Sequence, residues 1–183
     1  MRARAPGKLV LSGAYSVLHG APAIVTAVDR FALVDTERPP EHRPAEVEAA
    51  VRCGFLTAMP WCDASALRTT GAGGDRKLGL GSSAAMVADA DALFRMAYRA
   101  HKSAQGGGSG IDVAASSYGG TLVCQVTEAG LANTPHVLPD VSFEVWACPE
   151  AASTPTMLAA VRALHERDPA THDAHMDAAK RGA

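Results

Sequence analysis

The chain has 183 residues and a formal charge of −2, enough for one good core and the opening of a second, with no electrostatic case for nucleic acid or an anionic membrane. No apolar run approaches the roughly 20 residues that span a bilayer, and Pro6, Gly7, Lys8, Ser12, Gly13 and Ser16 interrupt the start that a signal peptide would need. Cys53, Cys62, Cys124 and Cys148 form no C-x-x-C pair, so the sequence implies reduced thiols and a cytoplasmic protein.

In chain order, Lys8 to Leu11 reads as a short strand. Ala23 to Val28 and Phe31 to Val34 are two further apolar runs. Glu37 to Pro44 is charged and proline-rich, hence a loop. Ala45 to Met59 has helical spacing, with Val47, Val51, Phe55 and Leu56 on one face. Trp61 to Thr70 reads as a strand, and Gly71-Ala72-Gly73-Gly74-Asp75 as a hairpin turn. Ser83 to Ala104 has no helix breaker, and Gly106-Gly107-Gly108-Ser109-Gly110 cannot continue it. Ile111 to Ser117 reads as a short helix, and Thr121 to Val126 and Ser142 to Cys148 as strands. Ser153-Thr154-Pro155 is a helix start, Met157 to His165 carries that helix, and Asp168 to Ala183 reads as a last helix with a frayed end. No internal repeat is present.

The stretch Lys77-Leu78-Gly79-Leu80-Gly81-Ser82-Ser83-Ala84-Ala85-Met86 organises the rest. Two glycines let the backbone come close to a ligand, a serine can cap the helix that follows, and a helix N-terminus presents free N–H groups to a phosphate. A plain glycine turn entering a helix would look the same. Gly79-x-Gly81-x-x-Ala84 formally matches the dinucleotide fingerprint. Its lead-in, Gly73-Gly74-Asp75-Arg76-Lys77, is polar rather than a strand, and Ala104-Gln105-Gly106 supplies no acid where one is needed. No Gly-Lys-Ser/Thr tripeptide marks a Walker-type loop.

Two more segments complete a constellation. One runs Ala5-Pro6-Gly7-Lys8-Leu9-Val10-Leu11-Ser12-Gly13-Ala14-Tyr15-Ser16-Val17-Leu18-His19-Gly20. The other runs Ala100-His101-Lys102-Ser103-Ala104-Gln105-Gly106-Gly107-Gly108-Ser109-Gly110-Ile111-Asp112-Val113-Ala114. In order and spacing from Ala5 to Gly120 the three resemble the GHMP kinases, the small-molecule kinases that include galactokinase, homoserine kinase, mevalonate kinase and phosphomevalonate kinase. Gly13-Ala14-Tyr15, Asp63-x-Ser65-Ala66-Leu67 and His101-x-x-Ala104-Gln105-Gly106 are similar to the phosphomevalonate kinase branch.

The resemblance implies an α+β fold of two lobes, with residues 1–140 as a complete N-terminal, ATP-binding lobe and 141–183 as the start of an incomplete C-terminal lobe. It implies ATP and Mg2+ as cofactors and a small-molecule acceptor, phosphomevalonate. Lys77, Gly79, Leu80, Gly81, Ser82, Ser83 and Ala84 would wrap the ATP phosphates, and Ser83 would approach the magnesium ion. Asp112 would face the acceptor with Lys8 close to it, as the catalytic pair. Tyr15, His19, Ser109 and Gly110 would line the acceptor side. Phosphoryl transfer asks for alignment and charge neutralisation more than covalent chemistry, which suits a lysine, a carboxylate and glycine amides. A kinase for mevalonate or a sugar, or a non-catalytic nucleotide sensor, is the alternative.

Several residues have ordinary structural readings beside the functional one. Ser83 and Asp112 could simply cap helices, and His101 could pack or make a structural hydrogen bond. Asp63 and Ser65 could stabilise a strand end. His172 and His175 have a metal-like helical spacing with no third ligand nearby, so the sequence does not make them a metal site. The chain also departs from the pattern. Mevalonate kinases carry a glutamate magnesium ligand eleven positions before the matching aspartate, and here that position is His101. Magnesium would then fall to the phosphates and Ser83, or to Asp89 or Asp91. The segment between Ala85 and His101 is short beside its relatives.

Overall fold

The computed structural model describes residues 2–71, 74–77, 91–146 and 154–182. The architecture is α+β, as the sequence implies. Its frame is an antiparallel sheet built on two long strands, β1 (Arg2–Ser12) and β2 (Ala23–Asp35). β1 lies along the whole of β2, from Arg2 opposite Asp35 to Ser12 opposite Ile24. The other edge of β2 is therefore shared. Its last residues pair with β3 (Trp61–Asp63), and Ala23 to Thr26 pair with β6 (Thr121–Thr127), whose outer neighbour is β7 (Gly130–His136). A separate hairpin, β4 (Arg68–Gly71) and β5 (Gly74–Lys77), puts Gly71 opposite Gly74, the turn expected from the glycine run.

The helices lie against this sheet. α1 (Ala45–Arg52) packs on α2 (Asp91–Gln105). α2 packs on α3 (Ile111–Tyr118), and α3 on β1 and β2. The main core gathers Val17, Ala23, Val25, Phe94, Ala97, Ile111, Val113, Ala114, Ala115, Leu122 and Cys124. Val25 and Val113 are fully enclosed, each such side chain stabilising the fold by about 1.5–3 kcal/mol. Burial also pushes the Cys124 thiol up to about 11, so this cysteine behaves as a small core hydrophobe. α1 and α2 are tied by the Gln105 amide, which donates to the buried Glu46 carboxylate at 2.8 Å. Two further helices, α4 (Thr154–Arg167) and α5 (Pro169–Arg181), pack on each other, and α5 touches the 3-10 turn Ser16–His19. No described helix is long and apolar enough to cross a membrane.

Several elements differ from the sequence expectation for local reasons. The first strand begins at Arg2 rather than Lys8. The runs Ala23–Val28 and Phe31–Val34 are one strand, because Asp29 and Arg30 are the extra residues of a β-bulge. The register jumps there from Pro6 opposite Phe31 to Gly7 opposite Val28. Pro6, with no N–H to give, sits at that irregularity. α1 stops well short of Met59 in a Schellman closure, with Phe55 N–H on the Ala50 carbonyl at 2.9 Å and Gly54 N–H on Val51 at 3.0 Å. The stretch Trp61 to Thr70 breaks after Asp63, whose carboxylate accepts the Ser65 N–H at 2.8 Å and turns the chain into a 3-10 turn, Ser65–Leu67. β7 was not expected, since Asn133 and Pro135 argue against a strand, but at the sheet edge a proline costs no ladder bond. Residues 142–146 carry no strand, and 147–148 lie outside the described residues.

Candidate functional site

The first site segment leaves the end of β1. Gly13 is pressed on the following strand: a Cβ there would lie 2.6 Å from Ala23 Cα and closer still to the Pro22 carbonyl oxygen. Two residues on, Tyr15 has φ 62 and ψ −44, and Ser16 N–H donates to the Ala14 carbonyl across it at 2.7 Å. This is a γ-turn of the positive-φ kind, rare and strained for a residue with a side chain. It holds because its neighbours are fixed. Ser16 and Val17 are buried, Val17 N–H bonds the Gly13 carbonyl at 3.0 Å, and the Ser16 hydroxyl donates to the same carbonyl at 3.3 Å. The turn leaves the Tyr15 ring partly exposed at the mouth of the segment. His19, which the sequence also places on the acceptor side, sets its ring edge-on to His172 of α5 with centroids 5.8 Å apart.

The second segment is the joint between α2 and α3. Gly110 is its pivot, with φ 81 and ψ 7, immediately before α3. A Cβ there would meet the Tyr98 ring at 2.6 Å or less, so glycine is required by both conformation and packing. Ser109 is half-buried beside it. Among the described residues no atom lies within 4 Å of a Cβ built on Gly106, Gly107 or Gly108, so their backbone is open on that side to an anion.

Asp112 stands in the first turn of α3. Its Oδ1 accepts the Val113 N–H at 3.0 Å, and its Oδ2 lies 3.7 Å from Nε2 of His101. His101 comes from α2 and is almost fully enclosed, and its Nδ1 is a buried nitrogen without a partner. The carboxylate remains partly open, at 26% of its side-chain surface. The group facing its Oδ2 is thus the His101 imidazole. Lys8 sits on β1 opposite Ala27, on a strand packed against α3, and makes no ion pair with Asp112.

The sequence reading missed the His101–Asp112 contact. The signal was present in the spacing, which places the histidine on the last turns of one helix and the aspartate on the first turn of the next. Lys77 closes β5 opposite Arg68. Gly79, Leu80, Gly81, Ser82, Ser83, Ala84 and Asp89 lie outside the described residues. Asp63 is turned onto the Ser65 N–H, the strand-end role weighed above.

A lysine on the first strand, a glycine joint and an aspartate opening the helix packed against that strand make up the candidate site. No family model matches the chain. It is 30% identical over 207 residues to a mevalonate kinase of Archaeoglobus fulgidus, covering 97% of this chain and 69% of the relative. The chain belongs to the GHMP kinase family. Among solved structures it is similar to a Lin0012 protein from Listeria innocua, with TM-score 0.79 at 20% identity over 98% of this chain and 69% of the other. It is also similar to the L. major mevalonate kinase in complex with R-mevalonate, with TM-score 0.63 at 17% identity over 99% of this chain and 66% of the other. At these identities the two structures show the shared fold.

Proposed function

We propose that the chain is an ATP-dependent phosphotransferase of this family whose acceptor is phosphomevalonate, giving diphosphomevalonate. Residues 1–140 act as the nucleotide-binding lobe and 141–183 open the second. The feature that supports the acceptor assignment is that Lys8 and Asp112 form no ion pair with each other. Among the described residues Lys8 has no carboxylate partner, so its ammonium stays available to an acceptor phosphate. A phosphate monoester has a second pKa near 6 and is largely dianionic at neutral pH. It is already a nucleophile, and it needs a cation to bring it to the ATP phosphates more than a base to deprotonate it. The Tyr15 turn supports the same reading, since strain of this kind gathers where a ligand is gripped.

The donors described so far fit magnesium and ATP in part. Asp112 offers an oxygen that magnesium accepts, whereas a His101 nitrogen is a poor magnesium ligand. Lys77, Gly79, Leu80, Gly81, Ser82, Ser83 and Ala84 would hold the nucleotide phosphates, with Ser83 toward the metal. Bound magnesium neutralises phosphate charge.

Mevalonate is the second reading, favoured by the Archaeoglobus fulgidus relative. Its hydroxyl must lose a proton, and Asp112, oriented by its helix and His101, would then take it as general base. ADP release from Mg-ATP against phosphomevalonate, mevalonate, galactose and no acceptor separates these. Release only with phosphomevalonate supports the proposal. Release with mevalonate or galactose moves the acceptor, and ATP binding without release under any condition points to a sensor.

A further inference from the structure

His172 is enclosed where α5 meets the 3-10 turn Ser16–His19. Its Nδ1 has two close polar neighbours, His165 Nδ1 of α4 at 3.2 Å and Asp173 Oδ1 at 2.9 Å. One imidazole nitrogen carries either one hydrogen or one lone pair. If Nδ1 donates, the Asp173 carboxylate and a His165 lone pair must share its single hydrogen. If it accepts from His165, it faces the carboxylate lone pair to lone pair. A cation among the three atoms removes the conflict, since each donor then turns a lone pair to the same centre.

The spacing supports such a centre. All three atoms lie within 4.8 Å of one another. Tetrahedral zinc with bonds of about 2.0–2.1 Å holds its donors roughly 3.3 Å apart; the pairs at 3.2 and 2.9 Å are within a few tenths of an ångström of that, and the remaining pair, His165 with Asp173, lies within 4.8 Å. The framework that brings them together is rigid: α4 and α5 pack on each other, and Asp168 caps α5 by accepting the Thr171 N–H at 3.1 Å.

We propose that His165, His172 and Asp173 form a site for a zinc-like divalent transition cation, with a fourth position open to water. Two nitrogens and one carboxylate oxygen suit zinc and cobalt, whereas magnesium and calcium want oxygens. The proposal does not depend on the kinase assignment. The sequence pairs His172 with His175; the cluster instead joins His172 to its neighbour Asp173 and to His165, across the turn at Asp168. Because His19 packs edge-on against His172 at 5.8 Å, the cation also braces the segment that follows Tyr15.

The test uses tag-free full-chain protein stripped with chelator and titrated with Zn2+ by calorimetry and with Co2+ by visible absorption. The expected result is one equivalent of Zn2+ per chain and the intense ligand-field bands of four-coordinate cobalt. His165→Ala and Asp173→Asn, both at exposed positions, are each expected to weaken Zn2+ binding at least about tenfold with circular dichroism unchanged. Absence of binding by the unmodified chain, or equal affinity in both variants, overturns the site. Binding that survives these variants but is lost on Cys53→Ser would assign the zinc to a thiol and likewise overturn it.

Discussion

His101 Nε2 lies 3.7 Å from Asp112 Oδ2, and the other ring nitrogen of His101 is buried without a partner. A histidine thus reaches from the end of one helix to the carboxylate that opens the next. This arrangement makes the role of Asp112 depend on the acceptor. With an alcohol, Asp112→Asn removes the base and is expected to lower kcat by about 10²–10⁴. With a phosphate acceptor the same substitution is expected to weaken transfer without abolishing it. Equal collapse in parallel steady-state assays with both acceptors would show that Asp112 serves another purpose.

The Tyr15 turn sets stability against binding. Glycine at this position relieves backbone strain of about 1–3 kcal/mol and gives back about 0.5–1 kcal/mol through the unfolded chain. Tyr15→Gly is therefore expected to stabilise the fold by about 1 kcal/mol in urea unfolding, while raising KM for the acceptor. Tyr15→Phe keeps the turn and isolates the phenol. A destabilised Tyr15→Gly would mean that the ring's packing outweighs the strain.

Gly110 meets two constraints at once. Gly110→Ala puts a methyl group into the Tyr98 ring at a positive φ. Overpacking costs about 1–3 kcal/mol, and the conformational penalty adds to it. In a double-mutant cycle with Tyr98→Ala, the clash component should disappear and the conformational one remain. Additive effects would show that the ring moves aside freely.

Acid sensitivity is expected at the far end of the sheet. The Asp35 carboxyl is held below its usual range, first by the Glu37 N–H at 3.0 Å and, against the opposing effect of burial, by the Arg2 guanidinium at 3.0 Å. A carboxyl lowered by folding adds stability above its unfolded value, about 3.9, and that contribution is lost as pH falls through the folded value. The melting temperatures of the unmodified chain and of Asp35→Asn should therefore differ near neutrality and converge toward pH 3. A gap independent of pH would place the effect in packing instead.

Much of the site could be read from the chain. Lys8, Gly13, Tyr15, Gly110 and Asp112 stand in local motifs, and residue type alone fixes what such motifs can do: glycine where a side chain cannot fit, a carboxylate in the first turn of a helix. The helices after Ser153 and Gly110 were legible for the same reason, since caps and breakers act over a few residues. Where Asp29 and Arg30 made a bulge rather than a break, the answer lay in the partner strand β1, which no short window contains; the helix end at Gly54 was a local glycine signal that the apolar spacing beyond it masked.

The sequence by itself determined most of the helices, the long strands and the resemblance to the family, because caps, breakers, apolar runs and motifs act over short stretches. Only the tertiary structure decided the pairings: His101 with Asp112, His165 with His172 and Asp173, and Lys8 with neither. The distances that join these groups depend on how separate elements pack, and residues far apart along the chain become neighbours only when a core fixes the angles between their helices and strands.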